Sequence, residues 1–237
     1  LTEDYVTNKV VTDLDQLYTG FKKHLVDDQL IDQIYSGEKI SFEKNDGRFF
    51  TNQFIMLVSN ANEKKTALVR FKNYDMPLTK ISEFKDDVWG MRPRNKEQMF
   101  ALDALLDPNI PIVTLVGKAG CGKTLLAIAS GLEQVLETGQ HKKLVISRPI
   151  QPLGKDIGYL PGTMEEKMRP WLMPIQDNID FLLSGKKDHM THLFEDGTIQ
   201  VEALTYIRGR TMSNAFIIID EAQNLTTHEL KTIITRV

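Results

Sequence analysis

The stretch that most limits how this chain can fold is residues 110–124, IPIVTLVGKAGCGKT, where an apolar β-branched run leads into a glycine-rich turn that ends in Lys-Thr. The residues that follow, LLAIASGLEQVLE, have the apolar spacing of a helix. A strand, a glycine turn and a helix N-terminus in this order direct backbone N–H groups at one point and bind phosphate there. An ordinary glycine turn between a strand and a helix is the alternative interpretation.

The residue types in this turn suit a phosphate site. Lys123 supplies a positive charge for the β and γ phosphates, and the Thr124 hydroxyl supplies a hard oxygen for Mg²⁺. The sequence therefore predicts a site for a Mg²⁺-bound nucleotide. Its candidate contact residues are Gly117, Lys118, Ala119, Gly120, Cys121, Gly122, Lys123 and Thr124.

A second motif, AFIIIDEAQN, supplies the carboxylates that such a site needs. Residues 215–219 have the composition of a buried strand, and Asp220 follows at the carboxyl end, where ligands of a parallel α/β sheet bind. We expect Asp220 to hold Mg²⁺ through water and Glu221 to orient or deprotonate the attacking water, which indicates a hydrolase rather than a kinase. A strand ending in a solvated acidic turn is the alternative.

Composition and charge exclude several classes of protein. The chain has 237 residues, 41% of them apolar and 26% charged, with a formal net charge of −3. These values fit one large or two small globular domains without an overall basic field, so nucleic-acid contacts have to come from local patches. No apolar run is long enough to span a membrane and no signal peptide opens the chain, so we expect a cytoplasmic protein without a membrane partner.

Cys121 is the single cysteine, so no internal disulfide can form. This cysteine usage suits a reducing compartment. Within the phosphate loop, Cys121 is either a small side chain that the turn requires or a thiol that reacts with oxidants and alkylating reagents unless nucleotide covers it.

The residue pattern changes twice along the chain. Residues 1–35 are acidic and include VTDLDQLYTGFKKHL, which favours the helical tail of a preceding domain. Residues 36–85 contain short β-rich runs and an Asn-Asp-Gly hairpin signal at 45–47, and predict a small barrel-like module. Residues 86–237 predict an α/β domain with a parallel sheet.

Basic and aromatic residues alternate within the β-rich module, Phe50 and Arg70 among them. Base stacking together with backbone neutralisation would bind single-stranded nucleic acid there. A module of this size also needs most of its aromatic residues for the core, and the sequence leaves both interpretations open.

Three further features have two interpretations each. Gln98, one helix upstream of the loop, offers a donor and an acceptor to an adenine edge or has no ligand role. Arg208 and Arg210 act as arginine fingers or pair with surface carboxylates. The excursion at 151–183 contacts nucleic acid or docks on a neighbouring subunit.

Four segments in one order and spacing carry a family resemblance: WGMRPRNKEQMFALDALL, LVGKAGCGKTLLAIASGL, ISRPIQPLGKDIGYLPGTMEEKMRPW and IRGRTMSNAFIIIDEAQN. From about residue 89 to residue 237 the chain resembles the PhoH-like ATPase family. The N-terminal EDYV and LYTGF resemble the version in which a PIN-type ribonuclease domain and a β-rich module precede the ATPase. The resemblance implies a RecA-like P-loop NTPase, related to superfamily 1 helicases, with a parallel sheet, helices on both faces, and Walker A and Walker B motifs.

Position by position, the resemblance implies roles in ATP hydrolysis. It makes Gln98 the adenine-reading glutamine, Lys123 and Thr124 the phosphate and Mg²⁺ residues, Asp220 the metal-anchoring acid and Glu221 the catalytic base.

The resemblance extends to three less secure positions. Gln223 in DEAQ matches a water or γ-phosphate sensor, while Arg208 and Arg210 fall in a segment that acts across a subunit interface of a homo-oligomeric ring. Cys121 departs from the family, which commonly has threonine or another small residue there.

These observations predict ATP hydrolysis with Mg²⁺ that drives RNA remodelling or unwinding for an attached PIN ribonuclease. One alternative is an ATP-dependent oligomeric switch in which RNA has no direct part, and another is an RNA-gripping β module beside a structural ATPase unit. The nuclease body and the strand expected after THELKTIITRV are not in the sequence, so we expect a chain truncated at both ends that folds poorly or hydrolyses ATP slowly.

Overall fold

The computed structural model describes residues 20–81, 87–149, 164–183, 187–203 and 212–235. The chain divides into two units, Leu1–Glu83 and Phe84–Val237. The described part of the first is a four-stranded sheet with one helix, and that of the second is an α/β unit around a three-stranded parallel sheet.

A mixed sheet organises the first unit. Its elements are β1 (Phe21–Val26), α1 (Asp28–Ser36), β2 (Gln53–Ser59), β3 (Thr66–Phe71) and β4 (Thr79–Lys80). The strand order is β1-β2-β3-β4, with β1 parallel to β2 and the other neighbours antiparallel. Parallel neighbours need a crossover connection, and the segment between β1 and β2 that contains α1 supplies it. Helix α1 packs on β2 and β3.

Residues 21–36 differ from the predicted helical tail. Phe21–Val26 pair with β2 along their whole length, because strand pairing overrides the weak local preference for helix. Helix α1 buries Ile31 and Ile34 in the same core as Phe42 and Phe49 of the β-rich module. The predicted division after residue 35 is therefore wrong for the described residues, while residues 1–19 lie outside them.

The Asn-Asp-Gly signal at 45–47 does not form a hairpin. Lys44–Asp46 make a single 3-10 turn, closed by a capping box between Glu43 and Asp46. The hairpin instead joins β2 to β3 through residues 60–65. The described strands form an open sheet with β1 and β4 at its edges, and closure into a barrel is not among their pairings.

The second unit alternates helices and strands, as the motifs predict. Its elements are α2 (Lys96–Leu106), α3 (Lys123–Leu132), a π-helical turn (Glu133–Glu137), β5 (Lys143–Arg148), α4 (Met164–Leu182), α5 (Lys187–Glu195), β6 (Ile199–Ala203), β7 (Ala215–Ile219), a 3-10 turn (Ala222–Asn224) and α6 (Thr227–Ile234). The strand order is β6-β5-β7, and both pairings are parallel. Across the described residues, no helix has the length and apolar character that a membrane crossing requires.

Both faces of the parallel sheet are covered. Leu144 and Ile146 of β5 belong to a core shared with α2, α3 and α4, whereas Val145 between them belongs to a second core with Ile233 of α6. Side chains alternate between the faces of a strand, so these two cores lie on opposite sides. The predicted parallel sheet with helices on both faces is confirmed for this part of the unit.

The apolar run before the glycine turn is not a strand. Residues 110–116 have no strand assignment, and Ile112 and Val116 are 61% and 91% exposed. A strand exists only when a neighbour completes its hydrogen bonds. In the described ranges β5 pairs with β6 and β7, and none of these strands pairs with this segment.

Candidate active site

The glycine-rich turn leads directly into α3. Gly120 and Gly122 have φ values of 75° and 89°, a region that favours glycine, and Gly122 is the N-cap of the helix. At Gly117 a Cβ would lie 3.1 Å from Sγ of Cys121, a tight contact that would require a small shift of that side chain. Gly117, Lys118, Ala119, Gly120 and Cys121 are exposed, so the turn is open to a ligand.

Lys123 folds its side chain back into the curve of the turn. Its Nζ donates hydrogen bonds to the carbonyl oxygens of Gly117 and Lys118, both at 2.9 Å. The ammonium group therefore lies beside the N-terminus of α3, where the helix dipole also favours an anion. The charge of Lys123 and the N-terminus of α3 therefore both favour a phosphate group at the same place.

Thr124 and Asp220 join the two motifs. The Thr124 hydroxyl donates a 2.9 Å hydrogen bond to Oδ1 of Asp220, which lies just past the end of β7. The backbone N–H of Asp220 donates to the Ser147 carbonyl at 2.8 Å, so the neighbouring strand β5 fixes its position. The side chain of Asp220 is only 15% exposed.

Glu221 has a strained backbone. Its φ of 53° and ψ of 39° place a non-glycine residue in the left-handed region, as observed at functional sites whose geometry the surrounding structure enforces. The amide Nε2 of Gln223 donates a hydrogen bond to Oε2 of Glu221. The predicted base and the predicted sensor are thus direct neighbours.

Arg148 is the residue at this site that the sequence reasoning missed. Its Nη1 lies 4.0 Å from Oδ2 of Asp220, and its Nη2 lies 3.5 Å from Oε1 of Glu221. The sequence signal that could have identified Arg148 is its position at the end of β5. The carboxyl ends of neighbouring parallel strands lie at the same edge of the sheet, where ligands bind. Using that signal required knowing that β5 and β7 are neighbours.

Gln98 lies against the same turn. Its Nε2 donates to the Cys121 carbonyl at 3.1 Å, while its Oε1 accepts from the backbone N–H of Arg94 at 2.7 Å. Each end of the amide therefore makes one hydrogen bond to the backbone and keeps a second hydrogen-bonding position, because the NH₂ group carries two hydrogens and the oxygen two lone pairs.

Two of the predicted site residues, Arg208 and Arg210, lie outside the described residues, as do residues 151–163 of the excursion. Any role of these residues stays a prediction.

The site suits Mg²⁺ bound together with phosphate. In the part of the chain that the structure describes, no group of three or more His, Cys, Asp or Glu residues could hold a metal ion by itself. Mg²⁺ rarely needs such a cage, because it takes one or two carboxylates, water and phosphate oxygens. Thr124 Oγ1 and Asp220 Oδ1, 2.9 Å apart, are hard oxygen donors of this kind.

Sequence comparisons agree with this geometry. The chain is 47% identical over its whole length to Protein PhoH2 of Bacillus subtilis and covers 54% of that protein. It is 43% identical to Protein PhoH2 of Thermobispora bispora over 64% of this chain and 34% of that one, and 39% identical to a PhoH-like protein of Mycobacterium leprae over 62% and 40%. The chain therefore spans about half the length, or less, of these curated relatives. Residues 90–237, which contain the whole site, match the sequence profile described as PhoH-like protein, and the chain belongs to this family.

Proposed function

We propose that this chain binds ATP with Mg²⁺ on the turn at 117–124 and hydrolyses it with the acidic pair Asp220 and Glu221. The observation that carries the proposal is the 2.9 Å hydrogen bond from Thr124 to Asp220. It unites the phosphate turn and the acidic strand end in one site, as Mg²⁺-dependent hydrolysis of a nucleotide requires.

The residues of the site have separate roles in the proposed reaction. Lys123 and the N-terminus of α3 neutralise the phosphates, and Thr124 and Asp220 would hold Mg²⁺. When bound, Mg²⁺ supplies charge that stabilises the transferring phosphoryl group. Glu221 orients the attacking water and accepts its proton, and Gln223 holds the Glu221 carboxylate.

Two substitutions test the site. Lys123→Ala should weaken binding of a fluorescent ATP analogue and abolish hydrolysis, whereas Glu221→Gln should keep binding and stall hydrolysis. Lys142→Ala, at an exposed lysine outside the site, is the matched control. Hydrolysis by Glu221→Gln at the parent rate would show that the base is wrongly assigned.

The coupled function that we propose is RNA remodelling for an attached PIN ribonuclease, carried out by a homo-oligomeric ring. This part of the proposal depends on the family resemblance and on the β-rich unit. Phe50 is 47% exposed, and the guanidinium carbon of Arg48 lies 5.4 Å from its ring centre. An exposed ring beside a cation is suited to base stacking and phosphate contact. Arg70 is only 3% exposed and does not offer such a surface.

Hydrolysis measured with and without single-stranded RNA separates this function from its alternatives. RNA stimulation that Phe50→Ala removes supports coupling through the β-rich unit. An oligomeric switch predicts hydrolysis that RNA leaves unchanged. A purely binding module predicts that Phe50→Ala lowers RNA affinity while the hydrolysis rate stays the same with and without RNA.

A further inference from the structure

Arg148 contacts both members of the acidic pair, and neither the family comparison nor the two motifs assigns it a role. We propose that Arg148 is a positioning residue for hydrolysis, which holds the Glu221 carboxylate in place and limits how strongly Asp220 draws a divalent cation. The proposal rests on the proposed function, because it concerns how the same site works.

Each of the four carboxylate oxygens has a different polar neighbour, two through hydrogen bonds and two through ion pairs with Arg148. Thr124 Oγ1 donates to Oδ1 of Asp220, and Arg148 Nη1 faces Oδ2. Arg148 Nη2 faces Oε1 of Glu221, and Gln223 Nε2 donates to Oε2. A planar guanidinium presents several N–H groups in a fixed fork, so a single arginine suits two neighbouring carboxylates.

Charge explains why a cation is needed at this position. Asp220 and Glu221 are adjacent in the chain, and two carboxylates held side by side repel each other. The side chain of Asp220 is 15% exposed and that of Glu221 is 38% exposed, so water screens this repulsion in part and mainly from the Glu221 side. A guanidinium between them offsets the repulsion and allows Glu221 to keep its strained backbone conformation.

The same geometry links Arg148 to cation binding. A Mg²⁺ ion held by Thr124 and Asp220 and the guanidinium of Arg148 would both draw on the Asp220 carboxylate. Loss of Arg148 should therefore strengthen the attraction of the Asp220 carboxylate for Mg²⁺. The Glu221 carboxylate should at the same time lose its fixed orientation. Rate and cation affinity should change in opposite directions.

The experiment compares Arg148→Gln and Arg148→Lys with the parent chain under single-turnover conditions, where slow hydrolysis is still measurable. We expect Arg148→Gln to lower the hydrolysis rate constant about 10- to 100-fold, since positioned acid–base groups contribute about 10²- to 10⁴-fold. Affinity for the ATP analogue should stay within about twofold, while the Mg²⁺ concentration for half-maximal analogue binding falls about threefold. Arg148→Lys, which keeps the charge without the fork, should recover part of the rate. Arg92→Gln, at a 73%-exposed arginine paired with Asp87, is the control and should leave all three quantities unchanged.

A double-mutant cycle with Glu221→Gln distinguishes a positioning residue from an independent one. If Arg148 acts through Glu221, Arg148→Gln should cost little further rate in the Glu221→Gln background. An equal loss in both backgrounds would overturn the proposal. So would a rate within about twofold of the parent, or a joint fall of rate, analogue affinity and melting temperature, which would indicate a structural role. If instead the parent chain neither binds nor hydrolyses ATP, the proposed function itself fails.

Discussion

Thr124 in the first turn of α3 and Asp220 at the end of β7 are 96 residues apart in sequence and are joined by a 2.9 Å hydrogen bond. Helix α3 packs against β7, and the N–H of Asp220 is fixed by Ser147 of β5, so two packed elements set the distance between these groups. The site therefore depends on the packing of the parallel sheet as much as on its own residues.

Thr124 should be needed for Mg²⁺ rather than for the nucleotide alone. Thr124→Ala removes the hydroxyl that faces Asp220, so we expect Mg²⁺ to increase analogue affinity much less in this variant than in the parent chain. Thr124→Ser keeps the hydroxyl and should retain most of the Mg²⁺ effect. Titration of analogue binding with Mg²⁺ measures this, and an undiminished Mg²⁺ effect in Thr124→Ala would contradict the assignment.

Glu221 should lower the stability of the fold because of its backbone conformation. At a φ of 53°, Glu221→Gly should be more stable than Glu221→Ala by about 1 kcal/mol, since the left-handed region costs a residue with a Cβ about 1–2 kcal/mol. Urea unfolding measures the difference. At the exposed helical position Lys231 the order should reverse, because glycine is about 1 kcal/mol worse than alanine in a helix.

Gly131 in α3 should tolerate no larger side chain. A Cβ at this position would lie 2.6 Å from Cδ1 of Leu144 and 2.9 Å from Cδ1 of Phe216. We expect Gly131→Ala to lower the free energy of unfolding by about 1–3 kcal/mol despite the better helix propensity of alanine. Leu144→Val removes the nearest atom, so the double variant should lose less than the sum of the single losses. Simple additivity would show that this contact is not the cause.

His24 should make the stability of the first unit depend on pH. Partial burial, and then the nearby charge of Lys22, lower the pKa of His24 below its usual 6.5. The unfolded chain therefore takes up a proton before the folded chain does, and the free energy of unfolding should decrease as the pH falls from about 6.5 to the lowered pKa. Urea unfolding between about pH 7.5 and about pH 5.5 should show a smaller decrease for His24→Gln. Replacing the exposed His228 by Gln should leave the decrease unchanged.

Cys121 should report nucleotide binding directly. It is the single cysteine and is exposed in the turn, so a maleimide should label the native chain at one site. Mg²⁺ and ATP should slow this labelling in the parent chain and have little effect in Lys123→Ala. Labelling that saturating nucleotide leaves unchanged would place the ligand elsewhere.

Much of the second unit could be predicted because local pattern and tertiary structure agree there. Helical apolar spacing identified α3, the apolar run at 215–219 identified β7, and the glycine-rich pattern predicted a tight turn, in which Gly120 and Gly122 have positive φ values. The acidic pair was found because a carboxylate after a buried strand has a known place in parallel sheets.

The failures have a common physical origin in contacts between distant residues. Phe21–Val26 became a strand because β2 was available to pair with them, and residues 110–116 are not a strand because the described strands do not pair with them. Arg148 could be recognised only once β5 and β7 were known to be neighbours. Strand pairing and strand order depend on contacts between distant residues and cannot be predicted from short stretches of sequence.

The exposed run at 110–116 also affects how the molecule behaves in concentrated solution. Ile112 and Val116 present apolar surface to water, outside any strand pairing of the described residues, and such surface favours association with other polypeptides. Colloidal stability should therefore decline with protein concentration, and a charged residue in place of Val116 should delay the onset of light scattering without altering the glycine turn that follows.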